Sequence, residues 1–479
     1  MTVPKKIVVI GGGISGLSTA YYIDKFLKES GIKSEITILE KSPSTGGKVR
    51  TLARDGFVIE KGPDSFLARK TPIIDLTREL GLENELVPTN PKAKKTYIMN
   101  NGKLHRMPPG LNLGIPTEWK PFLRSGLISP WGKVRAAMDL VLPRRKEPGD
   151  ESLGGFLERR LGKEVLNNIA EPLLAGIYAG DTHQLSLQAT FPQFQALEQK
   201  KRSIILGMSE SKRQTPPPSG VPEEVRHSVF LSYREGLTTL IRGLEEALKK
   251  AGVRTLTGQG VKAVERLGQG QGRVILENGD SFDADGIVMA MPTYAISKVL
   301  PDLPMVQKLG GMTYVSVANV ISAFDAGQIP HDLDGSGFLV PRKEGRFITA
   351  CTWTSSKWMH TAPEGKVLIR CYVGRSGQEE WMGLSDEELM RRVRKDIKDL
   401  TGIEAEPLFY EITRLPKSMP QYPVGHLEII RQAREEAARF LPGLLLTGAG
   451  FHGVGLPDCI RQGKETARQM ADLMSRPRL

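Results

Sequence analysis

Apolar positions along this chain follow two alternating periods, and the first change of period comes within the opening residues. "KIVVI" (6–10) is a continuous apolar run short enough for a buried strand, and "ISGLSTAYYIDKF" passes at once into helical spacing, predicting a helix over 14–30. "EITILE" (35–40) returns to strand character and closes a βαβ unit. Between about 80 and 210 helical spacing dominates. In "SLGGFLERRLGKEVLNNIAEPLLAGIY", Leu153, Phe156, Leu157, Leu161, Val165 and Ile169 keep that spacing until Pro172 breaks or kinks the run. "SESKRQTPPPSGVPEEVR" (209–226), rich in proline, serine and charge, reads as a mobile surface loop.

Strand patterns then resume in "GVKAVERL", "SVANVISAF", "RFITACTWT" and "KVLIRCYVG". "ENGDSFDADGIVMAMP" predicts a hairpin turn and a strand returning to the first sheet, and "GQGQGRV" (268–274) reads as a hairpin. "LSDEEL" opens a helix with Ser385 as cap and Glu388 closing a capping box. The end of the chain is an apolar strand up to Thr447, a glycine-rich turn and a helix starting near Pro457. No internal repeat is evident.

Composition narrows the class without choosing it. A chain of 479 residues predicts two or three domains, and 39% hydrophobic with 25% charged residues describes an ordinary soluble protein. No window reaches the roughly 18 apolar residues that a spanning helix requires. "MTVPKK" runs straight into the first strand, leaving no room for a signal peptide, so the expected location is cytoplasmic. Cys351, Cys371 and Cys459 are odd in number and lack CxxC spacing, which argues against disulfides and a cysteine metal site. The seven histidines show no metal spacing, so no metal site is expected. A net charge of +12 favours anions, but the basic clusters are short and lack interleaved aromatics, so nucleic acid is not an expected partner.

The chemistry sits in glycine turns. Gly11, Gly13 and Gly16 occupy the three glycine positions of GxGxxG, within the run Gly11, Gly12, Gly13, Ile14, Ser15, Gly16. The first allows a tight turn, the second leaves room for a pyrophosphate, and the third lets helix and strand pack closely. Glycines also serve purely structural turns, so the pattern alone is weak. Its position between a strand and a helix, with Glu40 placed to accept from ribose hydroxyls, selects a dinucleotide. "KSPSTGGKVRT" then adds a second glycine pair and Lys48, and "EKGPDSF" adds Gly62, Pro63, Asp64 and Ser65. These stretches resemble the extended fingerprint of FAD-binding oxidases related to amine oxidases. A helix start in "TGAGFHGVGLPDCIRQG" would direct amides at the flavin end. A second GxGxxG opening a helix is absent, so electrons are expected from an organic substrate rather than a nicotinamide.

With these residues in place, the chain resembles the protoporphyrinogen and coproporphyrinogen oxidases of heme synthesis nearly end to end. "IGGGISGLSTAYYI", "EKGPDSFLARK", "EPLLAGIYAGD", "TFPQF", "MPQYPVGH" and "TGAGFHGVGLPDCIRQGKE" carry the likeness. It is nearest to the soluble Gram-positive enzymes that convert coproporphyrinogen III to coproporphyrin III. The resemblance implies an FAD enzyme removing six electrons, with oxygen as acceptor and hydrogen peroxide released. It implies FAD contacts at Gly11 to Gly16, Glu40, Lys41, Lys48, Gly62 to Ser65, Val261, and Val454, Gly455 and Leu456. Leu415 stands where many relatives carry a tryptophan near the flavin. The implied fold is α/β, with a discontinuous Rossmann-like FAD domain of flavin amine oxidase type in segments 1–80, 227–292 and 438–479. A helical domain (81–210) is inserted over the substrate cavity, and an α+β substrate domain spans 293–437.

Coproporphyrinogen bears four propionates and protoporphyrinogen two, so a more basic cavity favours the former. Arg69 or Lys70 is the candidate propionate contact and Tyr178 a candidate cavity wall. No catalytic side chain is required, because hydride removal drives the macrocycle toward aromaticity and chiefly needs an oriented flavin. The tryptophan-bearing segment 110–146 reads as a soluble cover over the cavity, with a peripheral membrane contact as the other reading. A transient contact with the next heme-pathway enzyme is a further expectation. Alternative functions are protoporphyrinogen IX oxidation, amine oxidation, or a flavin-free binding role like that of the GDP-dissociation inhibitors.

Overall fold

The computed structural model describes residues 3–147, 149–214 and 220–476. β1 (Lys5–Ile10), α1 (Ile14–Glu29) and β2 (Ser34–Leu39) form the expected unit, with β1 and β2 parallel and in register from Lys5–Ser34 to Ile10–Leu39. Alternation in β1 puts Ile7 and Val9 into one core and Val8 and Ile10 into another, because successive side chains point to opposite faces. Both faces are therefore covered, which explains a strand with no polar position among its last four residues.

The other partner of β1 comes from far along the chain. Gly286–Met289 pairs with it in parallel, Leu444–Leu446 adds beyond that, and Arg254–Leu256 flanks β2. One five-stranded sheet thus draws on the start, middle and end of the chain. α1 and the closing helix Leu456–Ser475 share the first core, through Leu17 and Ile23 with Ile460 and Met470. A Cβ at Gly463 would press on the Ser18 and Thr19 hydroxyls, so this glycine sets how closely the two helices approach.

A second sheet has seven strands, in the order Phe409–Pro420, Tyr314–Asp325, Lys366–Val373, Ile348–Trp353, Gly335–Leu339, Lys95–Asn100 and Lys103–Arg106. Helix Asp386–Thr401 packs on it through Leu389, Val393 and Ile397. Ser385 caps that helix by accepting from Glu388 N (3.3 Å), but the Glu388 carboxylate turns to Arg391 and Arg392, so only half of the capping box forms. Cys351 and Cys371 stand opposite each other in this sheet as buried thiols, and Cys459 is likewise free.

Three sequence expectations change. Residues 86–116, read as part of a helical segment, form strands instead, and two of them extend the seven-stranded sheet. The sign was in the sequence: Asn101 and Gly102, both at positive φ, make the two-residue turn that joins those strands. The helical run from Leu153 breaks first at Gly162 (φ 88°), and a π turn at Leu166–Ala170 precedes Pro172, which sits near the start of helix Glu171–Tyr178. The supposed loop at 209–226 begins as helix, since Ile204–Gln214 contains no proline and the prolines begin only at 216. Residues 215–219 lie outside the described residues.

Candidate cofactor and substrate site

The carboxyl ends of the parallel strands meet at the glycine turns, where ligands of open α/β sheets bind. Gly11 turns at φ 110° against the Ala290 carbonyl, and a Cβ on Gly16 would collide with the Gly11 carbonyl oxygen. Gly13 caps α1 without offering a side chain, and a Cβ built there meets nothing within 4 Å. The first amides of α1 therefore face open space with the positive end of the helix dipole behind them. Glu40 is fixed by two amides, Gly12 N at 2.6 Å and Ser42 N at 2.7 Å, which leaves lone pairs for hydroxyl donors. Gln259 N donates to the Glu40 carbonyl (2.8 Å), bringing the segment before Val261 alongside. Val261 itself opens a separate three-stranded antiparallel sheet. Lys41 points outward and pairs with Glu277 at 2.8 Å.

The second glycine pair stacks on the first turn: Gly46 N donates to Gly12 O (2.8 Å), and a Cβ on Gly47 would lie 3.3 Å from Gly13 Cα. Lys48 follows, its Nζ donating to the Ser418 carbonyl, and burial pushes this lysine below its usual pKa. Leu415 lies three residues earlier on the same strand, paired with Val317. Gly62 has no room for a side chain because a Cβ would strike the Lys48 carbonyl. Its own carbonyl accepts from Arg370, and Asn319 Nδ2 donates to Lys61 O (3.0 Å), so two strands of the large sheet hold this loop. Beyond Pro63, burial would raise the Asp64 carboxyl, but Lys357 and Arg370 hold it well below the usual carboxylate range. Ser65 Oγ donates to it at 2.8 Å.

The third turn is fastened by Tyr422. Its hydroxyl donates to the Ala449 carbonyl and accepts from Gly453 N (3.1 Å), just before Val454. Gly455 then caps the closing helix, again without a side chain, and Leu456 starts it. His426 stacks on Tyr422 with ring centroids 4.5 Å apart, and burial pushes it down to about 4. His452 is likewise pushed down to about 4 by burial and Arg434. Both imidazoles are neutral at pH 7, and His426 Nε2 lies 3.2 Å from the Phe451 carbonyl, to which it donates. Lys70 reaches this turn, pairing with Asp458 at 2.8 and 2.5 Å, whereas Arg69 is exposed. Tyr178 is buried, its ring edge against Tyr422 (5.8 Å) and Phe191 (6.1 Å).

A long anionic dinucleotide fits this arrangement. Two uncapped helix starts supply amides, Lys48 supplies a cation held at the Ser418 carbonyl, and the buried Ser418 Oγ and Thr447 Oγ1 have no hydrogen-bond partner. Sequence reasoning missed Asn319 and Arg370, whose strand motifs carry no binding signature. Tyr422 lay inside the quoted "MPQYPVGH", and only the third dimension shows what it fastens.

Comparison with known proteins follows the same line. Residues 14–471 match the family described as flavin containing amine oxidoreductase. The coproporphyrinogen III oxidase of Bacillus subtilis (strain 168) is 44% identical over 464 residues, covering 96% of each chain. That of Staphylococcus aureus (strain NCTC 8325 / PS 47) is 40% identical over 97% of this chain and 99% of its own. A crystal structure from Exiguobacterium sp. 255-15 superposes with TM-score 0.85 at 36% identity, over 98% of this chain and 99% of that one.

Proposed function

This chain belongs to the flavin-containing amine oxidoreductase family, and within it we propose an FAD-dependent oxidase that converts coproporphyrinogen III to coproporphyrin III in heme biosynthesis. The observation that carries this reading is the meeting of three remote glycine turns around Lys48, in a chain near-colinear with the two coproporphyrinogen III oxidases. FAD supplies, when bound, the two-electron acceptor for hydride leaving a bridging carbon.

The chain's own residues bind, orient and exclude water. The first amides of α1, with Gly12 to Ser15, take the pyrophosphate; Glu40 takes the ribose hydroxyls. Lys48, the Gly62–Ser65 loop and Val454–Leu456 hold the flavin end. Tyr178, Tyr422 and Phe191 make an aromatic wall that keeps water from the reacting carbon. Arg69 or Lys70 meets one propionate, Lys70 by sharing its charge with Asp458. Oxygen is the proposed acceptor and hydrogen peroxide the reduced product.

Anaerobic mixing tests this directly. The yellow protein is expected to bleach with coproporphyrinogen III faster than with protoporphyrinogen IX, and reversal of Arg69 and Lys70 to glutamate should raise the concentration required. A colourless protein that takes up no FAD would place it instead among non-enzymatic binders. Bleaching by an amine but by no porphyrinogen would make it an amine oxidase.

Domain limits follow the sheets. We place 1–80, 227–292 and 438–479 in the cofactor unit, joined by the helices Thr293–Val299, Pro304–Gly310 and His426–Phe440 that share one of its cores, and the rest of 293–437 with the strands Lys95–Asn100 and Lys103–Arg106 in the unit of the seven-stranded sheet. The helices from 119 to 214 form the cover. No described helix is long and apolar enough to cross a membrane, and a cytoplasmic location is proposed. The cover exposes Trp131 at 83%, Val141 at 69% and Leu123 at 53%, in a stretch of sequence that also carries Lys133, Arg144 and Arg145. We propose that it rests reversibly on anionic lipid. Flotation with anionic but not neutral liposomes, reduced by Trp131→Ser, is the expected result. Absence of flotation would leave this face to a protein such as the next enzyme of the pathway.

A further inference from the structure

Two arginines lie apart from the glycine turns and take no part in them. Arg375, just past the strand Lys366–Val373, is only 2% exposed. Its Nε donates to Gln378 Oε1 (2.6 Å) and its Nη1 to the Val340 carbonyl (3.1 Å). Arg342, just past the strand Gly335–Leu339, answers in the opposite sense, its Nη1 donating to the Ser376 carbonyl (2.8 Å). Each arginine thus fixes the backbone that carries the other. Glu171, at the start of helix Glu171–Tyr178, is the carboxylate they share, with Arg342 Nε 3.8 Å from its Oε1.

All three side chains keep a buried atom with no hydrogen-bond partner: Arg342 Nη2, Arg375 Nη2 and Glu171 Oε1. Buried guanidinium N–H groups without an acceptor are costly, so an arrangement that retains two of them is short of one acceptor. Asp181 is close enough to act on Glu171, yet its oxygens already accept from His183 N (2.9 Å) and Gln184 Nε2 (3.1 Å). Burial pushes the Glu171 carboxyl up against the pull of Arg375 and Arg342.

The cluster is tied to the aromatic wall. Ser376 N donates to the Ala179 carbonyl (2.8 Å), and Tyr178 beside it meets the Tyr422 that fastens the Gly453 turn. Seven residues of helix separate Glu171 from Tyr178, about 10 Å at 1.5 Å per residue. That is comparable with the reach from a bridging carbon of a tetrapyrrole to a propionate carboxylate.

We propose that Arg342 and Arg375 form a carboxylate subsite that takes one propionate of the porphyrinogen, entered past Arg342, whose side chain is 38% exposed. Planar guanidinium groups suit this role because they bind carboxylates in two-point fashion. The inference rests on the porphyrinogen reading above and adds to it where the substrate's acid groups go.

The test uses the FAD-loaded enzyme and two probes, coproporphyrin III and its tetramethyl ester, with binding read by quenching of tryptophan fluorescence. Arg342→Gln is expected to weaken binding of the free acid about tenfold or more, the loss typical of a charge-assisted hydrogen bond, and to leave ester binding unchanged. KM for coproporphyrinogen III should rise in parallel while kcat stays within about twofold, the sign of lost ground-state binding. Arg342→Lys should recover part of the affinity. Arg375→Gln, assayed with its melting temperature, should weaken acid binding in the same direction. Wild-type affinity for the acid in Arg342→Gln, or equal losses for acid and ester, would overturn the subsite. A wild-type enzyme that neither binds nor oxidises any porphyrinogen would instead remove the function proposed above, before variants are compared.

Discussion

Arg160→Ala is expected to destabilise the helical cover by about 3–5 kcal/mol, the usual cost of leaving a buried charge without its partner. Arg160 and Asp139 both have fully buried side chains, and their closest approach is 2.5 Å. The guanidinium also donates to the carbonyls of Asp139 (2.8 Å), Pro143 (3.0 Å) and Arg202 (2.6 Å), so one side chain fastens three stretches of backbone. Asp139 in turn accepts from Ser203 Oγ (2.5 Å) and Ile205 N (3.0 Å). Removing the arginine strands this carboxylate, and Glu198 (1% exposed) loses one of its two cations. Thermal melting should show the loss as a lower or split transition. Arg160→Met combined with Asp139→Asn should melt closer to wild type, because the charge and the counter-charge leave together. If Arg160→Ala melts with wild type, the network contributes nothing and water enters this core.

The second large effect separates folding from cofactor binding within six residues. Gly16→Ala forces a Cβ into the Gly11 carbonyl, where backbone on both sides prevents relief, so the turn and the packing of α1 on β1 both fail. Gly13→Ala meets no protein atom within 4 Å. It should fold with nearly the wild-type apoprotein melting temperature while filling the space before the α1 amides. The expected results are a colourless, folded Gly13→Ala and a poorly folded Gly16→Ala, read from flavin absorbance at equal protein and from melting of the flavin-free forms. A fully yellow Gly13→Ala would show that the phosphates approach elsewhere.

These contrasts mark what is legible from residues alone. The GxGxxG run and the acid that follows announce a dinucleotide because they stand between a strand and a helix, where Gly16 must clear the Gly11 carbonyl and Gly13 leaves room for a ligand. Asn101–Gly102 carries a local hairpin signal that the reading of 80–210 as helical leaves unused. Lys70 was picked out as a propionate contact because it follows a motif, and nothing nearby in sequence announces Asp458, nearly four hundred residues away.

What the amino-acid order determined by itself is the α/β alternation, the glycine turns and the use of three separated segments, since these depend on periods and on contacts within a few residues. Only the tertiary structure decided that Lys48 meets Ser418, that Arg370 reaches Gly62, and that Arg342 and Arg375 both come to Glu171. Such groups lie on different strands and helices and leave no periodic trace. Their partners are chosen by how the sheets and the helical cover pack, and an arginine at the end of a strand looks the same in sequence whether it faces water or a carboxylate.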